Sequence, residues 1–283
     1  MAHKIEVWLQ ELRDQGKSEN TLRVYEAGIN HLLKHFPGVG PEQFLTRDII
    51  DWRSHQQTRE KASPSTINTR LAAVRSFFSW LLGDQSPAAE IGNVDIPKKK
   101  PQALTQSEQR SFLRAVHSSD NLRDIAIVET LLGTGVRAEE LLALQVGDLT
   151  IRERSGEIVV REGKGSKFRI IPLPLVTRRA LRAFLSEEHP DSENENAFLW
   201  TGQRGPLSST STIFRLLSKY AYDAHLDPFG PHVLRHTYAT RYLEKNPSDI
   251  RGLADMLGHE DINTTMKYTQ VTLEDLQKRV ENL

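Results

Sequence analysis

The chain is 283 residues long and carries 37 Lys and Arg against 37 Asp and Glu, a formal net charge of zero. The length suits two domains with a core each, and 38% apolar with 26% charged residues excludes collagenous, disordered and coiled-coil chains. The absence of cysteine removes disulfides, zinc ribbons, iron–sulfur clusters and thiol nucleophiles together. The amino terminus runs directly into charged residues and no stretch approaches the roughly 20 apolar residues of a spanning helix, so a soluble, intracellular protein without membrane contact is expected. Zero net charge weighs against the simplest nucleic-acid binder, a chain with surplus Lys and Arg.

Residues 4–15 have Ile5, Leu9 and Leu12 at helical spacing beside Trp8, closed by Gly16. Ser18 then caps an amphipathic stripe of Leu22, Tyr25, Ile29, Leu32 and Leu33 that stops at Pro37-Gly38. A shorter helix is predicted over 47–56. A fourth opens at Ser63-Pro64, with Ser as cap and Pro at the first helical position, and carries Ile67, Leu71, Val74, Phe78 and Leu81 on one face. These make a four-helix domain by pattern. The stretch 83–101 lacks periodicity and ends in Lys98-Lys99-Lys100, which reads either as a solvated connector or as a basic strap along a phosphate backbone.

The second half opens with a capping box, Thr105-Gln106-Ser107-Glu108, ahead of Phe112, Leu113 and Val116. Helices dominate again, except where the β-type runs 157–161 and 168–172 flank Gly163-Lys164-Gly165-Ser166-Lys167, a hairpin whose tip presents lysines. Helical texture returns around 178–185, 211–225, 232–243, 250–257 and 272–280. The fold class expected is mainly α with a small β-sheet, an α+β chain.

Three clusters can carry chemistry. In Thr134-Gly135-Val136-Arg137, a glycine-bounded turn delivers an arginine to a helix start, and Glu140 lies one turn on; a ligand-facing fork and a structural ion pair both fit. In His232-Val233-Leu234-Arg235-His236, helical spacing brings His232 beside Arg235, a pairing suited to gripping a phosphate and moving a proton. The spacing of His232 and His236 also resembles a helical zinc pair, but Val233 stands where that motif requires Glu. In the third cluster a helix ending at Leu257-Gly258 exposes His259, and Tyr268 follows in a polar, threonine-rich segment. Taken singly, His259 and Tyr268 also fit ordinary structural roles.

The order Arg, hairpin Lys, His-x-x-Arg, Gly-His, Tyr is far more specific than any member, and by it the chain resembles the tyrosine recombinases of the phage integrase family. The matches run from Leu104 to Tyr268; the first half carries no sharp motif. The resemblance implies a helical core-binding (SAM-like) DNA-binding domain at 1–86, a basic linker at 87–101 and a catalytic domain at 102–283. It implies that Tyr268 attacks a scissile phosphodiester to give a 3′-phosphotyrosyl link, resolved by strand exchange through a Holliday junction. By the same resemblance Arg137 and Arg235 clamp the non-bridging oxygens and Lys164, or its neighbour Lys167, protonates the leaving oxygen. His232 serves in proton transfer, His259 donates to the phosphate, and Glu140 orients its basic neighbours. It implies no metal and no cofactor, double-stranded DNA as partner, a homotetramer on two sites, and a cytoplasmic, nucleoid-associated location in a bacterium. Subgroup expectations are a simple Xer-like recombinase, a transposon-encoded enzyme or a resolvase; type IB topoisomerase-like relaxation and a non-catalytic DNA-binding regulator are the alternatives. Net neutrality also resolves by segment: residues 98–179 hold 15 Lys and Arg against 10 Asp and Glu, whereas 180–283 hold 11 against 15. The surplus coincides with Lys98, Lys99, Lys100, Arg137 and the lysine hairpin.

Overall fold

A computed structural model describes residues 2–96, 103–161, 168–202, 205–258 and 265. It divides into two compact units, Met1–Lys98 and Lys99–Leu283. Lys98, Lys99, Lys100, Lys164, Lys167, His259, Tyr268 and the helix expected over 272–280 lie outside the described residues.

In the first unit the four expected helices form: α1 (Ala2–Asp14), α2 (Glu19–His35), α3 (Thr46–Thr58) and α4 (Pro64–Leu82). The caps read from the sequence are made as expected, Ser18 Oγ accepting from Thr21 N at 3.1 Å and Ser63 Oγ from Thr66 N at 3.2 Å. Helices α2 and α4 pack most extensively, and Gly28 permits it, since a Cβ there would sit 2.9 Å from Ala73 Cβ. The core gathers Trp8, Ile29, Leu32, Trp52, Leu71, Phe77 and Phe78, with Trp8 edge-on to Phe77. Ala88 and Ile91, in the stretch without periodicity, belong to this core. Arg75 holds Ile91 O at 2.9 Å and Asn93 Oδ1 at 2.6 Å, while Asn68 pairs with both the N–H and the carbonyl of Val94. Up to there the segment is tied to its own unit by polar contacts that leave no hydrophobic periodicity to read.

The second unit comprises α5 (Gln106–His117), α6 (Leu122–Thr134), α7 (Ala138–Ala143), a sheet of β1 (Leu149–Ile151), β2 (Gly156–Arg161) and β3 (Phe168–Pro172), α8 (Leu175–Glu187), the two-residue strands β4 (Thr201–Gly202) and β5 (Gly205–Pro206), then α9 (Thr210–Asp223), α10 (Pro231–Lys245) and α11 (Ile250–Leu257). Helix α6 is the axis: Ile125 to Leu131 are buried without interruption, packed by α8 and α10. It is apolar on nearly every side because it faces protein on nearly every side. Its start is held by Asn121 Oδ1, which accepts from Asp124 N at 2.8 Å, and by Glu188, whose two oxygens accept from Leu122 N and Arg123 N at 3.1 Å each. Glu188, one of the acidic residues that outnumber the basic ones over 180–283, thus complements a helix N-terminus.

Strands β2 and β3 pair antiparallel with Ile158 opposite Ile171 and Val160 opposite Arg169, the lysine-bearing segment being their connection. Strand β1, too short for alternation to show, completes the three-stranded sheet. No helix among the described residues is long and apolar enough to cross a membrane.

Candidate active site

Helix α6 ends at Gly135, which adopts the left-handed conformation at φ 65° and sends its N–H back to Leu131 O at 3.0 Å. A Cβ at this position would stand 2.5 Å from Tyr238 and 2.9 Å from Leu257, so both the conformation and the packing require glycine. The reversal places Arg137 at the cap of α7, its side chain 39% exposed. Glu140, one turn on, accepts from the Arg137 backbone N–H at 2.8 Å and from Arg137 Nη1 at 2.7 Å. The structural ion pair therefore exists, and it orients the arginine.

Pro231 opens α10 and Arg235 lies one turn after His232. Arg235 is buried to 5% exposure; its Nη1 donates to Gly135 O and its Nη2 to Leu257 O, both at 2.8 Å. His232 is exposed in the first turn. Burial lowers the pKa of His236, and the charges of His232 and Arg235 act in the same direction. A guanidinium beside the two histidines also makes this spot unfavourable for a divalent cation.

Arg137, His232 and Arg235 line one cleft of about 380 Å³, together with Thr210, Ser211 and Phe214 from the start of α9. The three side chains that sequence spacing singled out, separated by up to 98 positions, thus share a single concave surface. Each guanidinium has more N–H donors than its contacts to Glu140 and Gly258, or to Gly135 and Leu257, use, and two such cations with an imidazole beside them fit an oxyanion with two non-bridging oxygens.

The end of α11 closes the arrangement. Its last turn is capped by Gly258 in the left-handed conformation at φ 65°, and Gly258 O accepts from Arg137 Nη2 at 3.1 Å. Leu257 and Gly258 are thereby held beside the two arginines; His259, next in sequence, lies outside the described residues. Tyr238, three residues after Arg235, is not among the residues lining this cleft: its hydroxyl meets Met256 Sδ at 3.3 Å and burial pushes its pKa up to about 12. A phenol so placed is a poor nucleophile near neutrality.

One residue that the motif reading passed over is built into the same site. Arg169 on β3 has a side chain only 9% exposed, and its two terminal nitrogens donate to Glu140 Oε1 at 3.0 Å and Oε2 at 2.6 Å. Desolvation alone would raise the Glu140 pKa, but the hydrogen bonds from Arg169 and from the Arg137 backbone, with the charge of Arg169, hold it below the usual carboxylate range. Strand register carried the signal: Arg169 shares a face with the buried Ile171, and a charge on the inward face of a strand demands a partner.

The sequence model of the phage integrase family matches residues 102–274, and that of the phage integrase N-terminal SAM-like domain matches residues 5–88. The tyrosine recombinase XerA of Thermococcus onnurineus (strain NA1) is 34% identical over 270 residues, covering 94% of this chain and 90% of that protein. The tyrosine recombinase XerD of Listeria innocua serovar 6a is 30% identical over 283 residues, covering 94% of each. In fold the chain resembles the XerH site-specific recombinase crystallised with its difH substrate before cleavage, with a TM-score of 0.73 at 22% identity over 92% of this chain and 78% of that one. With a glycine-bounded Arg137 and the His232-x-x-Arg235 pair meeting in one cleft, and with both halves matched in order, the chain belongs to the phage integrase family and is a tyrosine site-specific recombinase.

Proposed function

We propose that this recombinase cuts and rejoins double-stranded DNA with Tyr268 as nucleophile, the scissile phosphate seated in the cleft of Arg137, His232 and Arg235. The convergence of those three side chains on one concave surface carries the reading. Attack of the Tyr268 oxygen on phosphorus forms a 3′-phosphotyrosyl ester and breaks the bond to the 5′-oxygen, which leaves as a hydroxyl. The ester keeps the energy of the broken linkage, so a 5′-hydroxyl of the partner strand displaces the tyrosine without a nucleotide cofactor. Negative charge grows on the phosphoryl oxygens in the pentacovalent transition state, where the Arg137 and Arg235 guanidiniums meet it.

A phenol with a reference pKa near 10 loses its proton more readily in electropositive surroundings, and the two arginines with His232 provide them. In this reading His232 takes the phenolic proton, and His259 donates a hydrogen bond to a phosphoryl oxygen. Lys164, on the β2–β3 connection, protonates the departing 5′-oxygen, with Lys167 as the nearby candidate for the same task. Glu140 touches no phosphate and orients Arg137. The XerH structure with its difH substrate supports DNA as the partner. Lys98, Lys99 and Lys100, between the two family-matched regions, are assigned to the phosphate backbone. The active assembly is proposed to be a homotetramer on two sites, exchanging strands in pairs through a Holliday junction, with the segment 272–283 docking on a neighbouring subunit.

The test of the lysine uses a substrate whose 5′-bridging oxygen is replaced by sulfur, a leaving group that needs no proton. Lys164→Ala is expected to cleave ordinary DNA slowly and the sulfur-substituted duplex at nearly the wild-type rate. Rescue confined to Lys167→Ala would transfer the role to Lys167.

A further inference from the structure

Three successive carbonyls at the end of α11 are each held by a different arginine. Arg169 Nε donates to Met256 O at 2.9 Å, Arg235 Nη2 to Leu257 O at 2.8 Å and Arg137 Nη2 to Gly258 O at 3.1 Å. The carbonyls of a helix C-terminus carry partial negative charge, so the three cations complement the end of α11. Arg137 and Arg235 line the cleft, while Arg169 approaches from the sheet behind them.

Arg169 is the member that joins the other parts. Its terminal nitrogens grip both oxygens of Glu140, and the same two oxygens take the Nη1 and the backbone N–H of Arg137. The Glu140 carboxylate thus receives four N–H donors, two from the strand and two from the residue that faces the cleft. A carboxylate held by Arg137 alone could follow that half-exposed side chain through its rotamers. Held bidentately from a paired strand, it is a fixed anchor.

We propose that Arg169 is a positioning residue for strand cleavage: by clamping Glu140 and the last turn of α11 in one arrangement, it fixes the Arg137 guanidinium at the wall of the cleft. This rests on the reading of Arg137 as a phosphate-binding group. It assigns the work to the geometry of the fork, because lysine would keep the charge yet could not span Glu140 Oε1, Glu140 Oε2 and Met256 O at once. It also connects the strand that follows the lysine hairpin to the arginine that meets the phosphate.

The experiment uses full-length Arg169→Lys and Arg169→Met, with a nicked suicide duplex built on a site the protein selects from randomised DNA. Duplex affinity and the single-turnover rate of covalent adduct formation are measured on a natural scissile phosphate and on a methylphosphonate, which lacks one anionic oxygen and so relaxes the need for a guanidinium. Both variants are expected to bind within about 3-fold of wild type and to cleave the natural phosphate on the order of 100-fold more slowly. On the methylphosphonate, their deficit relative to wild type on that same substrate should shrink to about 10-fold or less. Wild-type cleavage by Arg169→Lys, a deficit equal on both substrates, or a rate loss accounted for by lost affinity would each overturn the proposal. If Arg169→Met fails to fold, as judged by circular dichroism, Arg169→Lys alone decides. Arg137→Met serves as reference: if methylphosphonate gives it no relief, the phosphate-clamp reading of Arg137 has failed, separately from any result at position 169.

Discussion

Arg137 works through a division of its donors: Nη1 goes to Glu140 and Nη2 to Gly258 O, while the side chain still opens on the cleft. Arg137→Lys keeps a cation but loses the fork, and its single-turnover cleavage rate is expected to fall by about 10²–10³, the cost of removing one transition-state donor. Glu140 contributes differently, as a nearly buried carboxylate whose folded pKa lies below its unfolded value near 4.3. Its stabilising contribution is therefore complete above that unfolded value and is lost as pH falls through the lower folded one. Glu140→Gln should be destabilised by roughly 3–5 kcal/mol at pH 7, by removing the anion that Arg169 and Arg137 share, and by less as the pH approaches 3. Urea unfolding midpoints from pH 3 to pH 7 read this directly; an equal loss at all pH values would contradict it. Arg137, His232 and Arg235 were legible in the sequence because turn glycines and helical spacing are local. Arg169 was passed over because its partner Glu140 is 29 positions away and only strand register links its side chain to the site.

At the scale of elements, the helices follow from their caps and stripes. Ser18, Ser63 and Thr105 each make the predicted cap, and Ser63→Ala is expected to lower stability by about 1 kcal/mol in denaturant titration without changing DNA cleavage. The hairpin of β2 and β3 was likewise legible, as two β-branched runs around a glycine-rich connection. Strands β1, β4 and β5 were not: three residues or two carry no alternation, even though each pairs with a strand only a few residues away in the chain. The turn between α6 and α7 is where element and site are most tightly coupled. Gly135→Ala should cost roughly 2–5 kcal/mol, from a left-handed backbone on a residue with a Cβ and from the clash with Tyr238 and Leu257. Because the Gly135 carbonyl also holds Arg235, cleavage by the folded fraction should fall as well. A stable, fully active Gly135→Ala would contradict both the packing and the role of the turn.

For the whole molecule, the zero net charge conceals a basic middle segment, and the family shows that neutrality does not exclude DNA. Binding should weaken linearly in log[salt], with a slope of about −0.9 for each phosphate neutralised. Replacing Lys98, Lys99 and Lys100 together by Gln should reduce that slope by about 1 for each lysine that meets a phosphate, with little change in which site is chosen. An unchanged slope would leave these lysines in solvent. The central claim, that Tyr268 forms a 3′-phosphotyrosyl link, is tested most directly by trapping the covalent complex on a nicked suicide duplex, digesting it with protease and locating the nucleotide-bearing residue by mass spectrometry. A 3′-linked nucleotide on Tyr268 and no adduct with Tyr268→Phe are expected; a 5′ linkage, or an adduct on another residue such as Tyr238 or Tyr242, would overturn the assignment of the nucleophile.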